Sequence, residues 1–176
     1  VSRGILEAIG AGIKISKGDL VLRTNFATVD KIDGNVLDSR AGRTLTTREA
    51  SILADAVNKN VKLPFKFKFY PTVQHRGVLA FRGKFSSNIS NADPFYSGSE
   101  ARREGNNIIF SHAIDGLEES TLAANLVNNF IRKSHEILEK HWVNLERKRK
   151  GLFPANFVLC RDAGNEISAW KKLKGD

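Results

Sequence analysis

The 176 residues carry a formal net charge of +9, with 41% hydrophobic and 27% charged residues. That length suits one domain with a real core, and no apolar run approaches the roughly 18 residues that a membrane span needs. A single cysteine, Cys160, excludes an intrachain disulfide and makes the cytoplasm the default compartment, while the positive charge calls for an anionic partner: nucleic acid, an acidic surface or a phosphorylated small molecule.

The N-terminus has no signal-peptide pattern, and Met is absent throughout, start included, so the chain is expected to be processed or excised from something longer. Ile5, Leu6 and Ile9 predict a short helix over residues 3–10, stopped by Gly10. Gly10-Ala11-Gly12 reads as a turn, because neither phosphate-loop spacing is completed around it. Leu20, Leu22, Thr24 and Phe26 alternate with Arg23, Asn25 and Ala27 along a strand. Asp33-Gly34 between apolar residues then signals a hairpin. Its second strand runs into Asp38-Ser39-Arg40-Ala41-Gly42-Arg43, where Arg40 and Arg43 form a candidate anion-contacting corner.

Thr46 followed three residues on by Glu49 is a capping box, opening a helix that ends near Asn58 to Asn60. Phe65, Phe67 and Phe69 alternate with Lys66 and Lys68, a half-buried strand with the aromatics inward and the lysines outward. Gln74 to Pro94 is the stretch with the most functional content. Val78 to Phe81 form a buried strand with His75 and Arg76 at its start, Arg82 at its end, and a Ser/Asn-rich loop closed by Asp93-Pro94. Arg76 and Arg82 are six apart, so on a strand both leave one face. Two guanidiniums held there suit a phosphate or carboxylate; the alternative is ordinary surface charge.

Residues 95–107 read as an excursion, and Ile108 to Phe110 as a short strand. From Leu117 to His141 runs the longest helical pattern, with Leu122, Leu126, Phe130, Ile137 and Leu138 on one stripe. His135 and His141 are six apart, a poor spacing for a shared metal. Glu146 to Lys150 and Lys171 to Lys174 read as solvated charge runs. Phe157 to Cys160 is a short buried strand of the kind found in parallel sheets, with Arg161 at its C-terminal end, and Cys160 reads as a buried small hydrophobe. The expected class is α/β (α+β): a single layered domain, a mixed sheet flanked by helices.

Several segments, in order, resemble the archaeal type of cofactor-independent (2,3-bisphosphoglycerate-independent) phosphoglycerate mutase of the alkaline phosphatase superfamily. They are Gly4 to Ala8, Gly18 to Val29, Asp38 to Arg43, His75 to Leu79, Ser90 to Pro94, and His141 to Asn144 through Pro154-Ala155-Asn156 to Arg161-Asp162-Ala163-Gly164. The resemblance implies that residues 1–176 are the inserted substrate-binding domain, with the phosphatase core absent. It implies interconversion of 2- and 3-phosphoglycerate in glycolysis or gluconeogenesis through a phosphoserine on that core, which would carry two divalent metals (Mn, Mg or Zn). The chain itself would hold no cofactor, would be inactive alone, and would have phosphoglycerate and the core as partners.

Substrate-binding candidates on this basis are Arg23, Asn25, Asp38, Arg40, Arg43, His75, Arg76, Arg82, Asn156 and Arg161, with Asp93 as acid/base or, alternatively, a turn cap before Pro94. The chain departs from the family's pattern at Ser39, Trp142 and Asp162, where the family usually has Arg, Pro and Gly. Losing a cation and gaining an anion leaves open a related phosphate- or phosphonate-transferring activity. The competing class is a basic nucleic-acid-binding module, favoured by the charge and the Phe/Lys strand but lacking a recognised module.

Overall fold

The computed structural model describes residues 1–96 and 106–166. Its hub is β1 (Leu20–Val29), which pairs with β2 (Val36–Asp38), β4 (Arg76–Phe81) and β5 (Phe157–Gly164), while β4 also pairs with β3 (Phe67–Pro71). The strands β2 and β5 share one edge of β1, β2 beside its last two residues and β5 along most of the rest. The layered α/β class holds, but every strand pairing is antiparallel, where a mixed sheet was expected. Phe157 to Cys160 misled because burial on both sides, the usual mark of a parallel strand, here has another cause. The helices at residues 118–140 and 3–10 pack on the two faces of β5, and a loop bridged through Ala92 and Cys160 covers its outer edge.

On one face of the sheet, α2 (Thr47–Asn60) and α3 (Glu118–Lys140) bury Leu20, Leu22, Phe26, Leu79 and Phe81. Phe69 and Phe67 each lie 5.6 Å, edge to face, from Phe130 of α3, and Phe69 lies 5.3 Å from Phe26. Such pairs contribute about 0.5–1.5 kcal/mol each beyond area burial. Phe67 and Phe69 are thereby committed to the core, as the alternation predicted, but Phe65 lies before β3, is 38% exposed and packs edge to face on Phe85 at 5.0 Å, because the strand begins only at Phe67. Leu122, expected on the buried stripe of α3, is exposed; Ala123, Ala124, Leu126, Val127 and Ile131 take the inward positions because the helix rests on its small-residue side. Ile108 to Phe110 do not form a strand, being tied instead to the hairpin turn through Ile108 N–H to Gly34 O.

Among the described residues the other face carries a single helix, α1 (Arg3–Gly10), whose Ile5 and Ala8 cover Val21, Val78 and Ala80. Gly4 is required for that docking: a Cβ there would lie 2.5 Å from Asp162 O and 2.8 Å from Val21 O. Because α1 is two turns long, it covers one end of this face and leaves the other for polar groups.

The short helix α4 (Trp142–Arg149) corrects the reading of Glu146 to Lys150 as a solvated run. Arg147 is 2% exposed. It bonds both Glu49 oxygens at 3.0 Å, Phe153 O at 2.8 Å and Thr44 Oγ1 at 2.6 Å. Lys171 to Lys174 lie outside the described residues. Trp142, at the first position of α4, is exposed, and that position is one where proline is favoured, so the departure there is sterically mild.

Candidate anion-binding site

Residues opposite one another in an antiparallel ladder share a face. Asn25 faces Arg76, and Arg23 faces Arg161, so all four leave the sheet on the α1 side. Beyond the end of α1, a cavity of about 270 Å³ opens there, lined by Asn25, Ser39, Arg40, Asp93, Phe95 and Tyr96. It is at the small end of ligand pockets.

Three chain segments build it. The first is the turn after β2, where Ala41, Gly42 and Arg43 have φ of 48°, 73° and 57°. Left-handed backbone costs a non-glycine residue roughly 1–2 kcal/mol, so such a turn persists only if its surroundings hold it. Here Asp38 Oδ1 accepts from Arg40 N–H at 2.8 Å, Asn25 Nδ2 donates to Ser39 O at 3.2 Å, and Arg147 holds Thr44 beneath. Arg40 is half-buried at the pocket wall, and Arg43 is exposed beside it.

The second segment is the loop closed by Asp93, which is 1% exposed. Its Oδ1 accepts from Phe95 N–H at 3.0 Å, so the turn-cap role is real, and its Oδ2 faces Arg161 Nη1 at 3.4 Å. Burial raises the Asp93 pKa above the ordinary carboxylate value, against the lowering effect of the Phe95 N–H and Arg161; Asp162 raises it further. The third is the β5 end. Arg161 is buried, donates to Asn25 Oδ1 at 3.2 Å, and lies under the Tyr96 ring with its guanidinium carbon 4.4 Å from the centroid.

His75, at the turn into β4, is 8% exposed, and its Nδ1 has no hydrogen-bond partner among the described residues. Burial lowers its pKa first, then the positive charges of Arg76, Arg40, Arg43 and Arg161. Four guanidiniums therefore converge on one neutral imidazole. Arg161 is paired with carboxylates, but among the described residues no carboxylate lies within ion-pair distance of Arg40, Arg43 or Arg76. A group of unpaired cations around a cavity is suited to an anion with several oxygens.

Four other candidates lie apart or act indirectly. Arg82 is six residues from Arg76 along the strand, which separates them by about 20 Å, too far to grip one small ligand. It pairs with Asp19 at 2.8 Å and donates to Tyr70 Oη at 2.8 Å; burial opposes its charge, but these contacts raise its pKa overall. Arg23 sits between Glu7 and Asp162. Its Nε is 3.1 Å from Glu7 Oε2 without the alignment of a hydrogen bond, and its Nη1 is 3.3 Å from Asp162 Oδ2. Asn156 brackets the backbone of Val29 through both its N–H and C=O and also reaches Glu139. Asp38 acts through the Arg40 backbone rather than facing a ligand.

Sequence reasoning missed Tyr96, which no spacing marks, and Arg147, hidden in a run of like charges. The histidines expected to be non-ligands have local partners: His135 Nδ1 lies 2.8 Å from Asn156 O, and His141 Nδ1 accepts from Val143 N–H at 3.1 Å. Among the described residues no group of three or more His, Cys, Asp or Glu side chains could hold a metal ion. Cys160 is fully buried, which raises its pKa and keeps the thiol protonated.

Helices layered on an antiparallel sheet, with cations gathered past the end of a short helix, define an α/β domain that carries a candidate anion-binding site. The family model described as 2,3-bisphosphoglycerate-independent phosphoglycerate mutase matches residues 2–144, and the chain belongs to that family. The chain is 44% identical over 173 residues to the enzyme of that name from Aeropyrum pernix, and 39% identical over 165 residues to the one from Methanopyrus kandleri. Each alignment covers 92% of this chain, but only 41% and 37% of the relative. The solved cofactor-independent phosphoglycerate mutase from Thermoplasma acidophilum superposes with a TM-score of 0.76 at 32% identity, over 93% of this chain and 41% of that one. The chain thus spans about two fifths of the length of the relatives it matches.

Proposed function

We propose that this chain is the substrate-binding inserted domain of a cofactor-independent phosphoglycerate mutase, in which it holds phosphoglycerate against a phosphatase core. The observation that carries this reading is the conjunction of three cations that lack carboxylate partners among the described residues, Arg40, Arg43 and Arg76, with a buried protonatable carboxyl, Asp93. In this reading the guanidiniums bind the phosphate and carboxylate oxygens. His75, neutral near pH 7, exchanges hydrogen bonds with a glycerate hydroxyl. Asp93 gives a proton to the hydroxyl oxygen that loses the phosphoryl group and takes one from the oxygen that gains it. Asn25 orients Arg161 and the Arg40 turn, leaving phosphoryl transfer mainly a matter of positioning and charge stabilisation.

The nucleophilic serine and the Mn, Mg or Zn ions belong, on this reading, to the core, where they would stabilise charge on the transferring group. The enzyme is placed in the cytoplasm, the compartment in which an unpaired cysteine stays reduced. Among the described residues no helix is long and apolar enough to cross a membrane.

Calorimetry of this chain with 3-phosphoglycerate tests the reading. Saturable binding is expected, weakened by Arg40→Ala and by Arg76→Ala. Absence of binding, or wild-type affinity in both variants, overturns it. Binding of duplex or single-stranded nucleic acid with a steep salt dependence and no response to phosphoglycerate would instead support the rival class.

A further inference from the structure

Asp93 stands at one end of a ladder of five charged side chains that begins on α1. Glu7 lies 3.1 Å from Arg23, Arg23 lies 3.3 Å from Asp162, Asp162 lies 3.8 Å from Arg161 Nε, and Arg161 Nη1 lies 3.4 Å from Asp93. Three carboxylates share two guanidiniums, so the ladder carries one surplus negative charge. The Asp93 contact is long for a charge-assisted bond, which is ordinarily about 2.7–2.9 Å. Glu7 and Asp162 keep about a quarter of their side chains in water, whereas Asp93 keeps 1%. A surplus charge is most costly where solvent is least able to screen it, and a proton on Asp93 removes it.

Asp162 creates this surplus from an unusual backbone position. It occupies a β-bulge of β5, between Arg161 and Gly164 and opposite Val21 to Arg23 of β1, with φ of 58°, and its N–H donates to Asn91 Oδ1 at 2.9 Å. Left-handed backbone at a bulge is usually a glycine position. Here the residue there is a carboxylate aimed at both arginines.

We propose that Asp162 is a positioning residue that shares the Arg161 guanidinium with Asp93, leaving the buried Asp93 carboxyl incompletely neutralised and therefore able to carry a proton to the ligand. The proposal rests on the functional reading above, in which Asp93 exchanges that proton. Other charges face Asp93 too: Arg40 across the cavity favours its ionised form until an anionic ligand neutralises that guanidinium, and His75 is uncharged near pH 7.

The test is the titration of the Asp93 carboxyl carbon by NMR in this chain, wild type against Asp162→Gly and Asp162→Asn. Glycine relieves the backbone strain and asparagine tolerates it, so one of the two is expected to fold as the wild type does. Loss of the Asp162 charge should lower the Asp93 protonation constant about threefold to tenfold in each. Glu7→Gln, at the far end of the ladder, should lower it less. An unchanged Asp93 titration in a folded Asp162 variant overturns the proposal, even if the melting temperature moves, because a bulge residue of purely structural value alters only the latter. Phosphoglycerate calorimetry on the same samples separates the two claims. If no form binds but the titration shifts, the functional reading falls and the role of Asp162 stands; if all bind and the titration does not move, Asp162 falls alone.

Discussion

Arg40, Arg76 and Arg82 are alike in sequence and unlike in setting, and their variants should separate accordingly. Arg40 lines the cavity and Arg76 stands opposite Asn25 of its wall, and among the described residues neither has a carboxylate partner, while Arg82 is committed to Asp19 and Tyr70. A charge-assisted hydrogen bond contributes about 1.5–3 kcal/mol, so Arg40→Ala or Arg76→Ala should weaken 3-phosphoglycerate binding by roughly 10- to 100-fold. Arg82→Ala should lower the melting temperature and leave the affinity within about threefold. His75 gives a second test. Its folded pKa lies below the ordinary 6.5, so as pH falls the unfolded chain takes up a proton first. Stability is therefore full above about pH 6.5 and declines as pH falls through the lowered folded value. Burial lowers His141 as well, so the measurement is a difference: His75→Gln should flatten, without abolishing, the dependence of urea-unfolding stability on pH between about 5 and 7. An unchanged slope would remove His75 from the cation cluster.

At the scale of elements, the decisive contact is Arg147 of α4 beneath the left-handed turn after β2. It joins the capping box of α2 through Glu49, the turn through Thr44, and the segment before β5 through Phe153 O. Glu49 is held below the ordinary carboxylate value: partial burial works against its charge, but the Thr46 N–H and Arg147 outweigh it. Arg147→Met should cost about 2–4 kcal/mol in denaturant unfolding, below the upper range for buried pairs because Glu49 keeps partial contact with water. It should also weaken phosphoglycerate binding, since Arg40 and Arg43 ride on the released turn. Full stability with lost binding would show that the clamp acts on the site alone.

The element signals in the sequence were strong wherever the cause was local. The capping box of Thr46 and Glu49, the Asp33-Gly34 hairpin and the alternation of Phe67 and Phe69 each depend on neighbours a few residues away, and each formed as expected. Leu122, the parallel character of Phe157 to Cys160, and Arg147 failed for the opposite reason. Their environments are set by chain more than twenty residues distant in contact with them, and the local pattern carries no trace of that.

For the molecule as a whole, the sheet is asymmetric: one face is sealed by α2 and α3, the other half-covered by α1. The exposed half carries the proposed binding wall, and the family's relatives are more than twice as long as this chain. This chain alone, supplied with 3-phosphoglycerate and manganese, should therefore bind substrate without producing 2-phosphoglycerate. Turnover approaching that of a full-length relative, followed by an enolase-coupled assay, would show that the described wall is a complete active site.

The sequence by itself determined the α/β layering, the capping box of α2, the hairpin and the residue types of the proposed anion site, because those follow from periodicity and short-range hydrogen bonding. It also carried the family resemblance, through ordered segments that span the chain. Only the tertiary structure decided which arginines are already paired. Six looked equivalent as residues, yet strand length parts Arg82 from Arg76, carboxylates occupy Arg23 and Arg161, and among the described residues Arg40, Arg43 and Arg76 are left without a carboxylate. Charge is written in the sequence, but whether a charge is already neutralised depends on what the fold brings within about 4 Å of it.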